Sequence, residues 1–170
     1  MVNARTRSIA EVRIMSVPSY VTLTGPQTTV MPSSFVIAAS AVAGTVVQGS
    51  ILAFGPQSPA VAAPQVPITE VWSIVDIYII GTVTPDALLS IYINGYPQDI
   101  NPDLNSLNLN NLTRWKLMQA LKLPPASTWF TTITLLGANG TSQQTYTVYF
   151  SVIRAPYLPS SSSNSSTSSK

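Results

Sequence analysis

Val71–Gly95 reads VWSIVDIYIIGTVTPDALLSIYING. Two apolar runs flank Gly81–Asp86, where Thr84-Pro85-Asp86 supplies turn chemistry. Val, Ile and Tyr dominate both runs, as half-buried pleated surfaces prefer. In the first run Trp72, Ile74, Asp76, Tyr78 and Ile80 share one face; Ser73, Val75, Ile77 and Ile79 share the other. Both faces are mostly apolar, which predicts a central strand paired as a hairpin with the second run. Asn94-Gly95 then predicts a tight turn.

Outward from this stretch the chain continues in the same style. Short β-rich runs recur at Ile9–Ser16, Tyr20–Thr24, Ser34–Ala39, Thr45–Phe54, Ile68–Ile80, Ala87–Asn94, Thr128–Leu136 and Thr145–Arg154, about eight in all. Gly55–Pro67 (GPQSPAVAAPQVP) holds four of the 14 prolines and predicts a long ordered loop. One helix is expected, Leu112–Leu123: Leu112, Trp115, Met118 and Leu121 or Lys122 follow helical spacing, Asn111 or Thr113 can cap it, and Pro124-Pro125 stops it. Residues 1–8 read as a flexible basic arm. Residues 156–170 read as a disordered tail, because Ser160–Ser169 is all Ser, Thr or Asn and has no apolar surface to bury. The expected class is all-β, a β-sandwich of about eight strands with one short helix, spanning 9–155.

Ser34–Phe54 (SFVIAASAVAGTVVQGSILAF) is 21 residues without a charge, long enough to cross a bilayer as a helix. Gly44, Gln48, Gly49 and Ser50 interrupt it, it is rich in β-branched residues, and no aromatic or basic flank brackets it. Two buried strands around Gly44 are the expected reading. Met1–Met15 has arginines but no apolar core behind them, so no signal peptide of ordinary form is expected.

Composition narrows the chemistry. Among 170 residues there is no Cys and no His, and only 8% are charged, against about 25% in an average domain. Disulfides, thiolate or imidazole metal sites, and Ser–His–Asp or Cys–His catalysis are excluded. Ser, Thr, Asn and Gln supply 57 residues. Residues 14–69 carry no charge at all, and neither do 123–153. Solubility normally rests on interspersed charges; here it rests on hydroxyls and amides. Such a surface suits an extracellular or acidic setting, or one covered by neighbours.

Few constellations remain. Asp99, Asn101, Asp103 and Asn105 stand at positions 1, 3, 5 and 7 of a calcium loop, but Leu104 and Asn110 occupy the positions that need Gly and Glu. The alternative is an Asx-rich loop bonding its own backbone. Glu70, Asp76 and Asp86 would have to converge to act as an acid–base pair; as solvated or partnered carboxylates they need not. No phosphate loop and no G-x-S-x-G occurs, so no enzyme, catalytic residue or cofactor is expected. Arg5, Arg7 and Arg13 could touch nucleic acid, an anionic membrane or a neighbouring subunit, or merely solubilise the arm. Trp72, Trp115 and Trp129 lie in apolar patterns and are expected in the core, with stacking on sugars or bases as the alternative. Asn111-Leu112-Thr113, Asn139-Gly140-Thr141 and Asn164-Ser165-Ser166 match the glycosylation sequon.

About eight strands, one short helix, a basic arm and a polar tail, with Ile91-Tyr92-Ile93-Asn94-Gly95 as a hairpin end, resemble a single jelly roll. With the low charge, the chain resembles the small single-jelly-roll capsid proteins of icosahedral, internal-membrane viruses of thermophiles. The resemblance covers roughly 9–155 and carries no specific motif. It implies a virion subunit that self-assembles into a shell, with other virion proteins as partners and the arm tying neighbours together or facing a membrane. A cell-surface filament or surface-layer subunit, and a β-sandwich carbohydrate-binding module, are the competing expectations.

Overall fold

The computed structural model describes residues 24–55, 58–108 and 115–158. The expected arm with Arg5, Arg7 and Arg13, the strand Ile9–Ser16, nearly all of Tyr20–Thr24 and the Ser-rich tail from residue 159 lie outside the described residues. Among the described residues nine strands are formed: β1 (Gln27–Ile37), β2 (Val46–Gln48), β3 (Ser50–Ile51), β4 (Glu70–Ile79), β5 (Ala87–Ile93), β6 (Tyr96–Pro97), β7 (Trp115–Leu123), β8 (Trp129–Leu135) and β9 (Gln144–Pro156). They make two antiparallel sheets, ordered β3-β1-β9-β4-β7 and β2-β8-β5-β6. With β3 taken as the continuation of β2, first pairs with last, second with second-last, and so inward: β1·β9, β2·β8, β4·β7, β5·β6. A ribbon nested in this way and rolled up on itself is a jelly roll. The all-β sandwich expected from the sequence is therefore present.

The inner faces follow period 2. Met31, Phe35 and Ile37 of β1 and Val148, Phe150 and Val152 of β9 are buried from one sheet; Leu89 and Ile91 of β5 and Trp129 and Ile133 of β8 meet them from the other. Trp129 and Phe150 pack edge to face across this core, with ring centroids 5.5 Å apart.

Several expectations need correction. Val71–Gly95 is not a hairpin: β4 and β5 belong to different sheets, and the chain between them turns the corner of the sandwich. The alternation along β4 also breaks. Ile74 pairs with Val152 and Asp76 with Ser151, so an extra residue at Val75 shifts the phase. Trp72 and Ile74 point inward before the bulge, Ile77 and Ile79 after it, and Asp76 and Tyr78 fall on the outer face opposite Ser151 and Tyr149. Thr45–Phe54 is not one strand but two, in opposite sheets, with Gly49 between them. Finally, Trp115–Leu123 is the edge strand β7 and not a helix, while Leu112–Arg114 lie outside the described residues. The one helical turn described is a 3₁₀ turn at Asn105–Leu107.

The expected Asn94-Gly95 turn holds. Asn94 (φ 50°) and Gly95 (φ 82°) close the two-residue β5–β6 turn, in the left-handed region such a turn requires. The two buried strands expected around Gly44 are not found as such: β1, β2 and β3 share Ser34–Phe54, Phe35, Ile37, Ile51 and Ala53 point inward, and Val36, Val42 and Val46 are exposed. No helix among the described residues is long and apolar enough to cross a membrane.

Candidate functional site

At one end of the sandwich three connections meet: 38–45 between β1 and β2, 80–86 between β4 and β5, and 136–143 between β8 and β9. Backbone and amide hydrogen bonds hold them as a unit. Ser40 N–H donates to Gly140 O (2.7 Å), Asn139 N–H to Ala41 O (2.7 Å), and Leu136 N–H to Asp86 O (2.8 Å). Asn139 is buried; its Nδ2 donates to Ala38 O and Ser142 O, and its Oδ1 accepts from Gly140 N–H. Tyr146 of β9 donates its hydroxyl to Pro85 O (3.0 Å). Burial, and then the Asp86 carboxylate, hold that hydroxyl above the usual tyrosine pKa. A rigid platform results, and apolar side chains stand on it: Val42, Ile80 and Leu136 are 67, 65 and 52% exposed. Asp86 is the sole charged residue of the three connections, and it is half-buried and accepts from Ala87 N–H (2.8 Å) and Asn105 N–H (3.2 Å). Sequence reasoning did not single out this end. Its signal was the uncharged run itself, which hides apolar residues that strand assignment sends to the core.

The carboxylates singled out from the sequence are dispersed. Glu70 opens β4 and Asp86 lies past its other end, on the loop platform. Arg154 of β9 clamps Glu70 in a two-pronged pair, Nε to Oε2 at 2.9 Å and Nη2 to Oε1 at 2.8 Å. Trp72 Nε1–H donates to the same Oε2 (2.6 Å), and the Arg154 guanidinium lies over the Trp72 ring, 5.3 Å from its centroid. Every lone pair direction of Glu70 that these groups use is turned into scaffold, tying β4 to β9. Among the described residues no group of three Asp or Glu gathers where a metal ion could sit.

Three residues of the calcium-type quartet hold hydrogen bonds within the fold. Asp103 Oδ1 accepts from Ser106 N–H (2.7 Å), which opens the 3₁₀ turn. Asn105 exchanges two hydrogen bonds with the Val83 backbone. Asn101 Oδ1 accepts from Ser90 Oγ (2.9 Å), and Asp99 is exposed.

Trp72 and Trp129 are fully buried, so neither offers a ring to a sugar; the Trp115 side chain lies outside the described ones. The outer walls instead carry two stacked aromatic pairs. Tyr92 and Phe130 lie 4.6 Å apart and 3° from parallel on one sheet; Tyr78 and Tyr149 lie 5.3 Å apart and 12° from parallel on the other. Each pair spends facing ring surfaces on each other. Tyr96, in the short edge strand β6, is the most exposed of the described aromatic residues. Of the three sequons, Asn139 has its amide nitrogen buried and donating twice, so the folded chain does not offer it to a glycosyltransferase; Asn111 and Asn164 lie outside the described residues.

The fold and these sites define a class: a jelly-roll β-sandwich with hydroxyl-rich walls and an apolar loop end, with Ile68, Tyr157 and Leu158 also exposed beyond the opposite ends of β4 and β9. Comparison of the sequence with protein-family models finds no match, and comparison with curated proteins finds none either.

Proposed function

We propose that this chain is a structural subunit of a virion shell, a coat protein that packs side by side with copies of itself. The observation that carries the reading is the loop end, where Val42, Ile80 and Leu136 stand exposed on a hydrogen-bonded platform whose one charge is half-buried. A monomer in free solution gains nothing from such a tip, and scattered charge would protect it from association. Jelly rolls also serve lectins and cupins, so the fold does not decide the function. A cupin-type metal centre built on histidines has no ligands here, since the chain contains none. With Trp72 and Trp129 buried and the wall aromatics stacked on each other, Tyr96 and Tyr157 are the exposed described tyrosines left to a sugar. Lattice contacts need only modest individual strength, because each subunit makes several at once.

Electron microscopy of the purified chain at high concentration, with sedimentation velocity alongside, tests the reading. Closed shells, flat sheets or rings of repeated capsomers are expected, and Val42→Asp with Leu136→Asp should leave a folded subunit that no longer associates. Filaments would transfer the chain to a surface polymer. A monomer at every concentration would remove the self-assembly reading.

A further inference from the structure

β7 is unlike every other long strand of the protein. Its sequence, WKLMQALKL, contains no β-branched residue, whereas β1, β4, β5, β8 and β9 each contain at least two. Leu, Lys, Met, Gln and Ala rank at the top of the helix scale, and Trp stands in its middle. Apolar residues at 115, 118 and 121 and at 117 and 121 recur at helical spacing. Intrinsic helix preference therefore conflicts with the strand placement, although Trp115, Leu117, Leu121 and Leu123 also alternate with Lys116 and Lys122 at strand period, so the segment is compatible with either form.

The ladder shows the same disagreement independently. β7 lies at a sheet edge and pairs with β4 alone. Its C-terminal part is in register: Leu123 faces Trp72, Lys122 faces Ser73 and Leu121 faces Ile74. The next pairs are Lys116 with Asp76 and Trp115 with Ile77. Two steps along β4 thus correspond to five along β7, and Leu117–Ala120 drop out of the ladder. Leu123 is fully buried, whereas Leu117 and Leu121 are only partly covered and Gln119 and Lys122 are exposed. Leu123 is the fully buried anchor, Leu117 and Leu121 pack partly against the core, and the register pairs at 121–123 and 115–116 flank a four-residue break in the ladder.

We propose that Trp115–Leu123 is a two-state element, an edge strand in this structure that interconverts with an amphipathic helix lifted from β4. Pro124-Pro125 terminates it in either form, so the change stops before the 124–128 connection and β8. Nine residues are too few for a stable helix alone in water. The helix is therefore the minor form of the isolated subunit, populated enough to open the β4 edge transiently. This inference does not depend on the coat-protein reading.

Relaxation-dispersion NMR on the full, isotopically labelled chain tests it. Millisecond exchange is expected at Trp115–Leu123 and at the β4 amides facing it, with β1 and β9 quiet. The minor-state Cα shifts of 115–123 should be helical. Gln119→Val with Ala120→Val, at an exposed and a half-buried position, raises strand preference and lowers helix preference, and should cut the minor population about tenfold. Two results overturn the proposal: β7 amides as quiet as those of β9, or a minor state with random-coil shifts, which is edge fraying and not a switch.

Discussion

At Gly49 the chain leaves one sheet and enters the other. Its N–H donates to Thr131 O (2.9 Å), and directly beneath it Ser33 and Thr131 share a buried hydroxyl hydrogen bond of 2.9 Å between the sheets. A Cβ at this position would run into Ser33 Oγ and come within 2.8 Å of both Phe35 Cε1 and Thr131 Oγ1. Glycine is needed here for space and not for a left-handed backbone. Gly49→Ala should destabilise the fold by about 2 kcal/mol, in the range for overpacked cores, read as a lower urea midpoint. Ser33→Ala in the same chain should recover part of that loss; no recovery would place the strain elsewhere. The sequence displays a glycine inside a β-rich run, which announces a bend or close approach, but which residues approach it depends on β1 and β8, 16 and 82 positions away in sequence for Ser33 and Thr131.

Elements divide into those their own residues specify and those their neighbours specify. β5, β8 and β9 were legible almost to their ends, because alternating β-branched and aromatic residues select a half-buried strand wherever it lies. The Asn94-Gly95 turn was legible because few residues adopt left-handed backbone at both positions. β7 was misread because its residues prefer a helix, and only the unpaired edge of β4 makes a strand of them. β1 was read only from Ser34 onward, since Pro32 breaks the pattern; on the β3 side Pro32 O accepts from Leu52 N–H (2.9 Å) just past the last register pair, Ser33 with Ile51, at the end of the ladder where a missing N–H is tolerated. One tether between elements has a pH signature. Tyr146 of β9 holds the 80–86 connection through Pro85 O. Tyr146→Phe should lower stability by about 1 kcal/mol near neutrality. Because the folded-state pKa is raised, the contribution of Tyr146 is complete below the ordinary tyrosine value and fades as pH rises through the folded one. Urea midpoints of the two proteins should therefore converge above about pH 10. A constant gap across that range would show that the hydroxyl does not carry the difference.

For the whole molecule, surface chemistry predicts behaviour more directly than topology. Only six side chains are acidic, and of the four whose side chains the structure describes beyond Asp99, Glu70, Asp86 and Asp103 accept hydrogen bonds within the fold while Asp76 is buried. Solubility of the native chain should stay level from about pH 2 to about pH 9, because hydroxyls and amides do not change state; precipitation in acid would contradict this. By itself the sequence determined the all-β class, most of the strands, the absence of cysteine and histidine chemistry and the sparse charge, since these follow from residue type and local period. Tertiary structure alone decided the nested strand order, the strand form of β7, the dispersal of the carboxylates and the gathering of Val42, Ile80 and Leu136 at one end. Those outcomes depend on which edges and faces the rolled ribbon brings together, and contacts across so many residues leave no period in the sequence.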